Sequence, residues 1–142
     1  ILKGPPGSGI APGHVSNVVV EQRDIMPTLL EAAGLPMPPD LDGQSFLEQA
    51  RGASTSLRDY LHGELVLFNQ SHQWLTDGRE KYLWWGADGR EQLFDLLSDP
   101  GECHDLALSP SPAIAERLAF WRRRLACELQ GREEGFVDAR GD

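Results

Sequence analysis

Cysteine and long apolar runs are both scarce in this sequence. Cys103 and Cys127 are its two cysteines among 142 residues, and neither belongs to a C-x-x-C or zinc-type pattern. The spacing excludes a disulfide framework and favours free thiols, with a single long-range bridge as the alternative. No apolar run approaches the roughly 20 residues that cross a bilayer. The sequence therefore predicts no membrane partner.

Basic residues are also in short supply. Thirteen Lys and Arg residues stand against 22 Asp and Glu residues, for a net charge of -9. Because the phosphates of nucleic acids repel such a chain, we expect no nucleic-acid partner. The concentrated basic patch, Arg122 to Arg124, is interpreted as a solvated helix face rather than a phosphate site.

The glycine-rich residues 4–9, GPPGSG, imitate the start of a phosphate-binding loop but lack its chemistry. A Walker A loop needs a Lys and a Ser or Thr directly after its last Gly, followed by a helix. Here Ile10 and Ala11 follow instead, and Pro12-Gly13 prevents a helix. Nucleotide binding is not expected.

The middle of the chain has the pattern of consecutive antiparallel hairpins. Asp77-Gly78 and Asp88-Gly89 are turn signals between runs rich in aromatic and apolar residues. Gly63 in the first run indicates a bulge or a close approach of another group. The predicted strands are Tyr60 to Phe68, His72 to Thr76, Lys81 to Trp85 and Gln92 to Leu96.

A C-terminal helix is expected to cover one face of this sheet. Between Ile114 and Leu129 the apolar residues recur at helical spacing. Residues 132–142 follow as a polar tail that is expected to be partly mobile. The apolar positions of the helix are Ile114, Leu118, Trp121, Leu125 and Leu129.

The first part of the chain predicts a strand and a helix. The β-branched run Val18 to Val20 is typical of a buried strand. Asp24 is expected to cap the next helix, which carries Pro27 in its first turn and ends at Gly34. The apolar stripe of this helix needs a partner to pack on, and it consists of Ile25, Leu29 and Ala33.

Two phrases of the sequence resemble the C-terminal part of sulfatases. Residues 20–30, VEQRDIMPTLL, with residues 33–36, AGLP, and 41–45, LDGQS, are similar to the family passage "D..PTLL..AG.P.P..LDG.S". Residues 76–85, TDGREKYLWW, and 91–107, EQLFDLLSDPGECHDLA, resemble a small sheet that ends in "elfdL..DP.E..nLa". The two phrases occur in the family's order.

The resemblance implies an α/β, alkaline-phosphatase-like fragment. Residues 1–45 would be the C-terminal edge of the main α/β domain, contributing its last strand and helix. Residues 46–131 would form a small α+β subdomain with a four-stranded antiparallel sheet and a C-terminal packing helix, followed by the tail 132–142. The implied partners are an upstream sulfatase catalytic domain and, in the parent protein, a small-molecule sulfate ester.

Sulfate ester hydrolysis needs a nucleophile, a cation and a general acid, and the family's motifs for these are missing here. Neither Cys103 nor Cys127 lies in the C-x-P-S/T-R context that the family uses to make formylglycine. The resemblance implies a divalent cation (Ca²⁺, or Mn²⁺ or Mg²⁺) and a formylglycine in the parent enzyme. We predict no catalytic residue, metal site or cofactor in this chain, and no hydrolysis by the chain alone.

Four residues of the predicted sheet are candidates for the substrate pocket. His62 and Glu64 share one strand face at i and i+2, so the pair could polarise a leaving group or bind an anionic ester. A satisfied polar pair at a strand end is the alternative. His72 and Trp74 form a second pair that could line an aryl pocket, with core packing of Trp74 as the alternative.

Other functions are compatible with the same phrases. Phosphonate monoester and phosphodiester hydrolases of the superfamily have similar C-terminal phrases, and a non-catalytic interaction module is a further alternative. The compartment stays open between cytoplasm and periplasm, because we expect any signal peptide to lie upstream of Ile1.

Overall fold

A computed structural model describes residues 2–67, 70–109 and 111–136. It divides into two compact units between Asp59 and Tyr60. The predicted domain boundaries after residues 45 and 131 stay predictions. The first unit contains a 3-10 helix, Gln22–Asp24, and helices α1, Ile25–Ala32, and α2, Leu47–Ala50. The second contains β1, Leu61–Leu67; β2, Gln70–Thr76; β3, Glu80–Trp85; β4, Glu91–Asp95; a 3-10 helix, Leu106–Leu108; and α3, Pro112–Leu129.

Helix α1 lies where it was predicted, but Asp24 does not cap it through its side chain as expected. Pro27 lies in its first turn, and Gly34, with φ +66°, closes it in a Schellman motif in which Leu35 N donates to Leu30 O at 2.9 Å. Asp24 occupies the N-cap position without bonding to α1 through its side chain. Its carboxylate accepts instead from Glu21 N at the start of the preceding 3-10 helix and from the distant Gln44 and Arg58, of which Arg58 competes for it as a charged donor.

The predicted strand from Val18 to Val20 is not formed. A strand needs a neighbouring strand to bond its backbone, and the described residues of this unit offer none. Val19 O accepts from Arg58 Nη1 at 3.3 Å instead.

The apolar stripe of α1 is open to solvent on the described chain. Ile25 and Leu29 are 50% and 56% exposed, and Ala33 is also exposed. Ile25 and Leu29 border an open groove of about 1080 Å³ that Val18 and Val20 also line. The first unit therefore presents an apolar surface with no partner among the described residues.

The second unit is built on a four-stranded antiparallel sheet in the order β1-β2-β3-β4. The predicted turns form as expected: Asp77 Oδ1 accepts from Glu80 N at 2.8 Å, and Asp88 Oδ1 accepts from Arg90 N at 3.0 Å. The strand ends differ by one or two residues, since β2 begins at Gln70 and β4 ends at Asp95. Phe68 and residues 137–142 of the predicted tail lie outside the described residues.

Helix α3 covers one face of the sheet, as its periodicity predicted. Ser111 Oγ caps it by accepting from Ile114 N at 3.2 Å, and Pro112 occupies its first turn. Ile114 and Leu118 lie partly buried against the core cluster. The fully buried members of the cluster are Leu75, Tyr82, Leu93, Trp121, Leu125 and Leu129. No helix of the described chain combines the length and apolarity that a bilayer crossing requires.

The basic run on α3 does not act as one patch. Arg122 donates to both carboxylate oxygens of Glu91, at 3.0 and 2.6 Å. Arg124 stacks its guanidinium over the rings of Tyr60 and Phe120. Two of the three arginines are thus held by contacts within the unit, in agreement with the prediction of a helix face.

Candidate functional site

The four candidate pocket residues divide between the two faces of the sheet. Successive residues of a strand point to opposite faces, so the register of β1 with β2 decides which side chains are neighbours. His62 and Glu64 share the face that α3 packs on, as predicted from their i, i+2 spacing. His72 and Trp74 lie on the opposite face. The structure therefore forms two separate candidate sites from these four residues.

A buried glutamine joins the first pair. Gln73 is 1% exposed and lies on β2 opposite Glu64. Its Oε1 is 2.7 Å from His62 Nε2, and its Nε2 donates to Ser71 Oγ at 2.7 Å and to Glu64 Oε2 at 3.4 Å. His62 and Glu64 therefore belong to one hydrogen-bonded group centred on Gln73.

Charged residues at and just beyond the end of α3 contact this hydrogen-bonded group. Arg132, just beyond α3, donates to Glu64 Oε2 at 2.5 Å and lies 3.5 Å from His62 Nδ1. Burial would raise the pKa of Glu64, but the bond and the charge of Arg132 together with the bond from Gln73 outweigh it and hold that pKa below its ordinary value. Glu128 Oε2 lies 4.0 Å from His62 Nδ1, and Glu128 Oε1 accepts from Tyr60 at 2.6 Å. We name these six residues the His62 cluster: Tyr60, His62, Glu64, Gln73, Glu128 and Arg132.

The second pair is held by aromatic packing rather than by polar bonds. The His72 ring lies 3.9 Å from the Trp85 ring, centroid to centroid, and the Arg90 guanidinium lies 4.2 Å from the same ring. Nε2 of His72 is buried and has no hydrogen-bond partner among the residues that the structure describes. Trp74 packs over Gly63 on the neighbouring strand, and Lys81 approaches its ring at 5.9 Å. The pocket role of all four candidates stays a prediction.

Gly63 marks a close approach, one of the two features predicted for it. We expect Gly63→Ala to destabilise the second unit by about 1–3 kcal/mol, because the added Cβ would overlap the indole of Trp74. Chemical denaturation of the 142-residue chain measures the loss.

The same substitution in a Trp74→Ala background supplies the control. There the alanine at position 63 meets no ring, so its cost should fall close to zero, as a double-mutant cycle would record. An equal cost in both backgrounds would contradict the close approach.

The described residues do not fit a metal ion or a formylglycine. They contain no group of three or more His, Cys, Asp or Glu side chains able to hold a cation. Asp24, the most buried carboxylate, is already paired with Arg58. Cys103 and Cys127 are free and exposed. No catalytic step is therefore derived through either group.

Residues 91–107 form the segment that closes the sheet, and their acidic side chains hold its backbone in place with hydrogen bonds. Asp95 Oδ1 accepts from Leu97 N at 3.0 Å, and Asp99 Oδ2 accepts from His104 N at 2.7 Å. Asp105 Oδ1 accepts from Leu93 N at 3.1 Å and so ties the phrase back to β4. Glu102 adopts the left-handed φ of 53° and pairs with Lys81 at 2.8 Å. These residues fix the backbone and leave no free carboxylate pair for acid and base chemistry.

Four members of the His62 cluster were not identified as site residues from the sequence: Tyr60, Gln73, Glu128 and Arg132. Glu128 and Arg132 come 66 or more positions after Tyr60, His62 and Glu64, which they contact, so local spacing cannot reveal them. Gln73 gave a weak signal, since it stands two residues before Leu75 on a strand face that is otherwise core.

Solved structures of two enzymes are similar in fold to this chain. A 2-O GAG sulfatase matches at a TM-score of 0.67 and 24% identity over 83% of this chain, which shows the fold. A phosphonate monoester hydrolase from Silicibacter pomeroyi matches at a TM-score of 0.67 and 27% identity over 85% of this chain. The chain covers 27% of each of these structures. They confirm the predicted alkaline-phosphatase-like fold class.

The family follows from the sequence comparison. The family model "N-sulphoglucosamine sulphohydrolase, C-terminal" matches residues 4–122. An arylsulfatase of Clostridium perfringens is 39% identical over 126 residues, which are 89% of this chain and 26% of that protein. The chain belongs to the sulfatase family, to the part that the family model describes as C-terminal. It spans about a quarter of the length of this relative.

Proposed function

We propose that this chain acts as the C-terminal portion of an enzyme that hydrolyses sulfate monoesters. The family match over residues 4–122 carries the proposal. The nucleophile and the cation come from an upstream catalytic domain, where we expect a formylglycine and Ca²⁺, or Mn²⁺ or Mg²⁺. This chain supplies structure and one wall of the substrate pocket.

The exposed surface of the first unit supports such a partner. Ile25, Met26 and Leu29 on α1 are each at least half exposed, and contiguous exposed apolar surface indicates a docking site. We propose that the upstream domain packs on this surface.

The His62 cluster supports a role in selecting the leaving group. Its carboxylate is half exposed at Glu64, its guanidinium is partly exposed at Arg132, and the largely buried imidazole of His62 lies beside them. Together these groups offer both donors and acceptors to an alcohol. We propose that His62 and Glu64 reach the pocket wall, whereas His72 and Trp74 line a second, aromatic region on the other face of the sheet.

The direct test compares the product of the full open reading frame with the 142-residue chain alone. We expect the full product to hydrolyse 4-nitrophenyl sulfate and the chain alone to give no turnover, since neither cysteine lies in the formylglycine context and the described residues hold no cation site. Near-UV circular dichroism of the four tryptophans verifies that the chain is folded in the assay. Turnover by the chain alone, or none by the full product, would contradict the proposal.

A phosphonate monoester hydrolase is the second candidate for the parent protein. The match to the Silicibacter pomeroyi enzyme, at 27% identity, favours it. Parallel assays with phenyl phenylphosphonate and 4-nitrophenyl sulfate distinguish the two. A higher kcat/KM for the sulfate supports the first proposal, and a higher value for the phosphonate supports the second.

A further inference from the structure

Gln73 is a buried polar residue for which the sequence predicted no function. Its side chain lies between His62, Glu64 and Ser71 on the face covered by α3. A polar side chain that is 1% exposed must satisfy its hydrogen bonds inside the protein. The direction of those bonds can be worked out from what each neighbour is able to donate or accept.

Glu64 decides which way the amide of Gln73 points. An ionised carboxylate only accepts hydrogen bonds, and the pKa of Glu64 lies below its ordinary value. The amide nitrogen of Gln73 must therefore face Glu64 Oε2, at 3.4 Å. Ser71 accommodates either orientation, because a hydroxyl both donates and accepts. The amide oxygen is left facing His62 Nε2 at 2.7 Å.

This orientation fixes the proton on His62. Since the amide oxygen only accepts, His62 Nε2 must carry the hydrogen, and the neutral ring keeps its lone pair on Nδ1. Nδ1 faces Arg132 Nη2 at 3.5 Å, which only donates, and Glu128 Oε2 at 4.0 Å. The Arg132 contact agrees with an unprotonated Nδ1.

We propose that Gln73 is a positioning residue that holds neutral His62 as the Nε2–H tautomer. Nδ1 is thereby kept as an acceptor beside the Arg132 guanidinium. That arrangement suits a hydroxyl of the leaving group, which donates to Nδ1 and accepts from Arg132. This last consequence rests on the proposed function; the tautomer itself does not.

Nitrogen-15 NMR of the labelled 142-residue chain tests the tautomer. At about pH 8.5, roughly two units above the ordinary pKa of histidine, we expect the His62 Nε2 shift of a protonated nitrogen and the Nδ1 shift of an unprotonated one. In Gln73→Met, which keeps the length of the side chain and loses the amide, the two shifts should move towards each other as both tautomers become populated.

Gln92→Met is the matched control. Gln92 accepts from Trp85 Nε1 at 2.9 Å on the opposite face of the sheet, so this change should leave the His62 shifts unmoved. A protonated Nδ1 in the unsubstituted chain, or an unchanged pair of shifts in Gln73→Met, would overturn the proposal.

Glu64→Gln keeps the proposal testable if Gln73→Met fails to fold. A glutamine at position 64 can donate or accept, so it no longer orients the Gln73 amide, and mixing of the tautomers is again expected. Retention of a single tautomer in Glu64→Gln would contradict the orienting role of Glu64.

Kinetics of the full open reading frame product distinguish the pocket role of His62 from the positioning role of Gln73. Gln73→Met should raise KM for the sulfate ester about tenfold with little change in kcat, the size expected for one hydrogen bond. An unchanged KM beside a mixed tautomer would contradict the pocket role of His62 and support the positioning role of Gln73.

Discussion

Asp24→Ala is expected to lower the free energy of unfolding of the first unit by about 3–5 kcal/mol. Asp24 is fully buried, and its carboxylate accepts from Glu21 N at 2.8 Å and from Gln44 N at 2.9 Å. It also accepts two bonds from Arg58, at 2.8 and 2.7 Å. Removing the carboxylate leaves the Arg58 charge, 11% exposed, with the more distant Glu21 Oε1 at 3.5 Å in place of two short bonds.

Amide hydrogen exchange in α1 is the suitable measurement. All four tryptophans lie in the second unit, so their fluorescence reports on that unit and serves as an internal control. Glu48→Ala is the matched variant, because its ion pair with Arg51 is exposed and should contribute about 1 kcal/mol or less. Equal losses of protection in α1 for the two variants would contradict the importance of burial.

The same pair predicts the response of this unit to acid. Burial would raise the pKa of Asp24, but the bonds from Arg58, Gln44 and Glu21 outweigh it and hold that pKa below its ordinary value. A lowered folded-state pKa contributes stability above the unfolded-state pKa of about 3.9 and loses it as the pH falls further. Asp24→Asn should abolish this part of the acid dependence.

The sheet and its covering helix could be predicted because their signals are local. Asp77-Gly78 and Asp88-Gly89 make their turns with side-chain bonds to the next residues. The apolar spacing of α3 likewise depends only on helical geometry. The observed strand ends differ from the predicted ones by one or two residues, because pairing with neighbouring strands determines where a strand ends.

The first unit shows where local signals fail. Asp24 has the sequence context of a helix cap, yet its carboxylate bonds with Gln44 and Arg58, which lie 20 and 34 positions further along the chain. Val18 to Val20 has the composition of a strand but no strand to pair with among the described residues. Partners distant in sequence overrode the first preference, and the lack of a pairing strand among the described residues left the second unmet.

The candidate site depends both on local spacing and on partners that are distant in sequence. The i, i+2 spacing of His62 and Glu64 placed them on one face, as predicted, whereas Arg132 reaches them across 68 or more positions. The family phrase at residues 91–107 was recognisable because Asp95, Asp99 and Asp105 fix the backbone. Residues that determine the fold therefore identified the family, and the same residues carry no information about the substrate.

Trp121→Ala is expected to lower the free energy of unfolding of the second unit by about 3–5 kcal/mol. Trp121 is 1% exposed at the centre of the core cluster, and its ring meets Tyr60 edge to face at 6.5 Å. Its Nε1 donates to Glu80 Oε2 at 2.6 Å, which links α3 to the start of β3. Urea unfolding followed by far-UV circular dichroism measures the loss without depending on the removed fluorophore.

Two further variants divide this loss between packing and hydrogen bonding. Trp121→Phe keeps a large ring and removes the donor, while Arg117 still bonds with Glu80, so a loss of about 1–2 kcal/mol is expected. Phe120→Ala removes the neighbouring aromatic ring, which is 40% exposed, and should cost about 1 kcal/mol. An equal loss for Phe120→Ala and Trp121→Ala would contradict the view that the buried side chain of Trp121 holds α3 to the sheet.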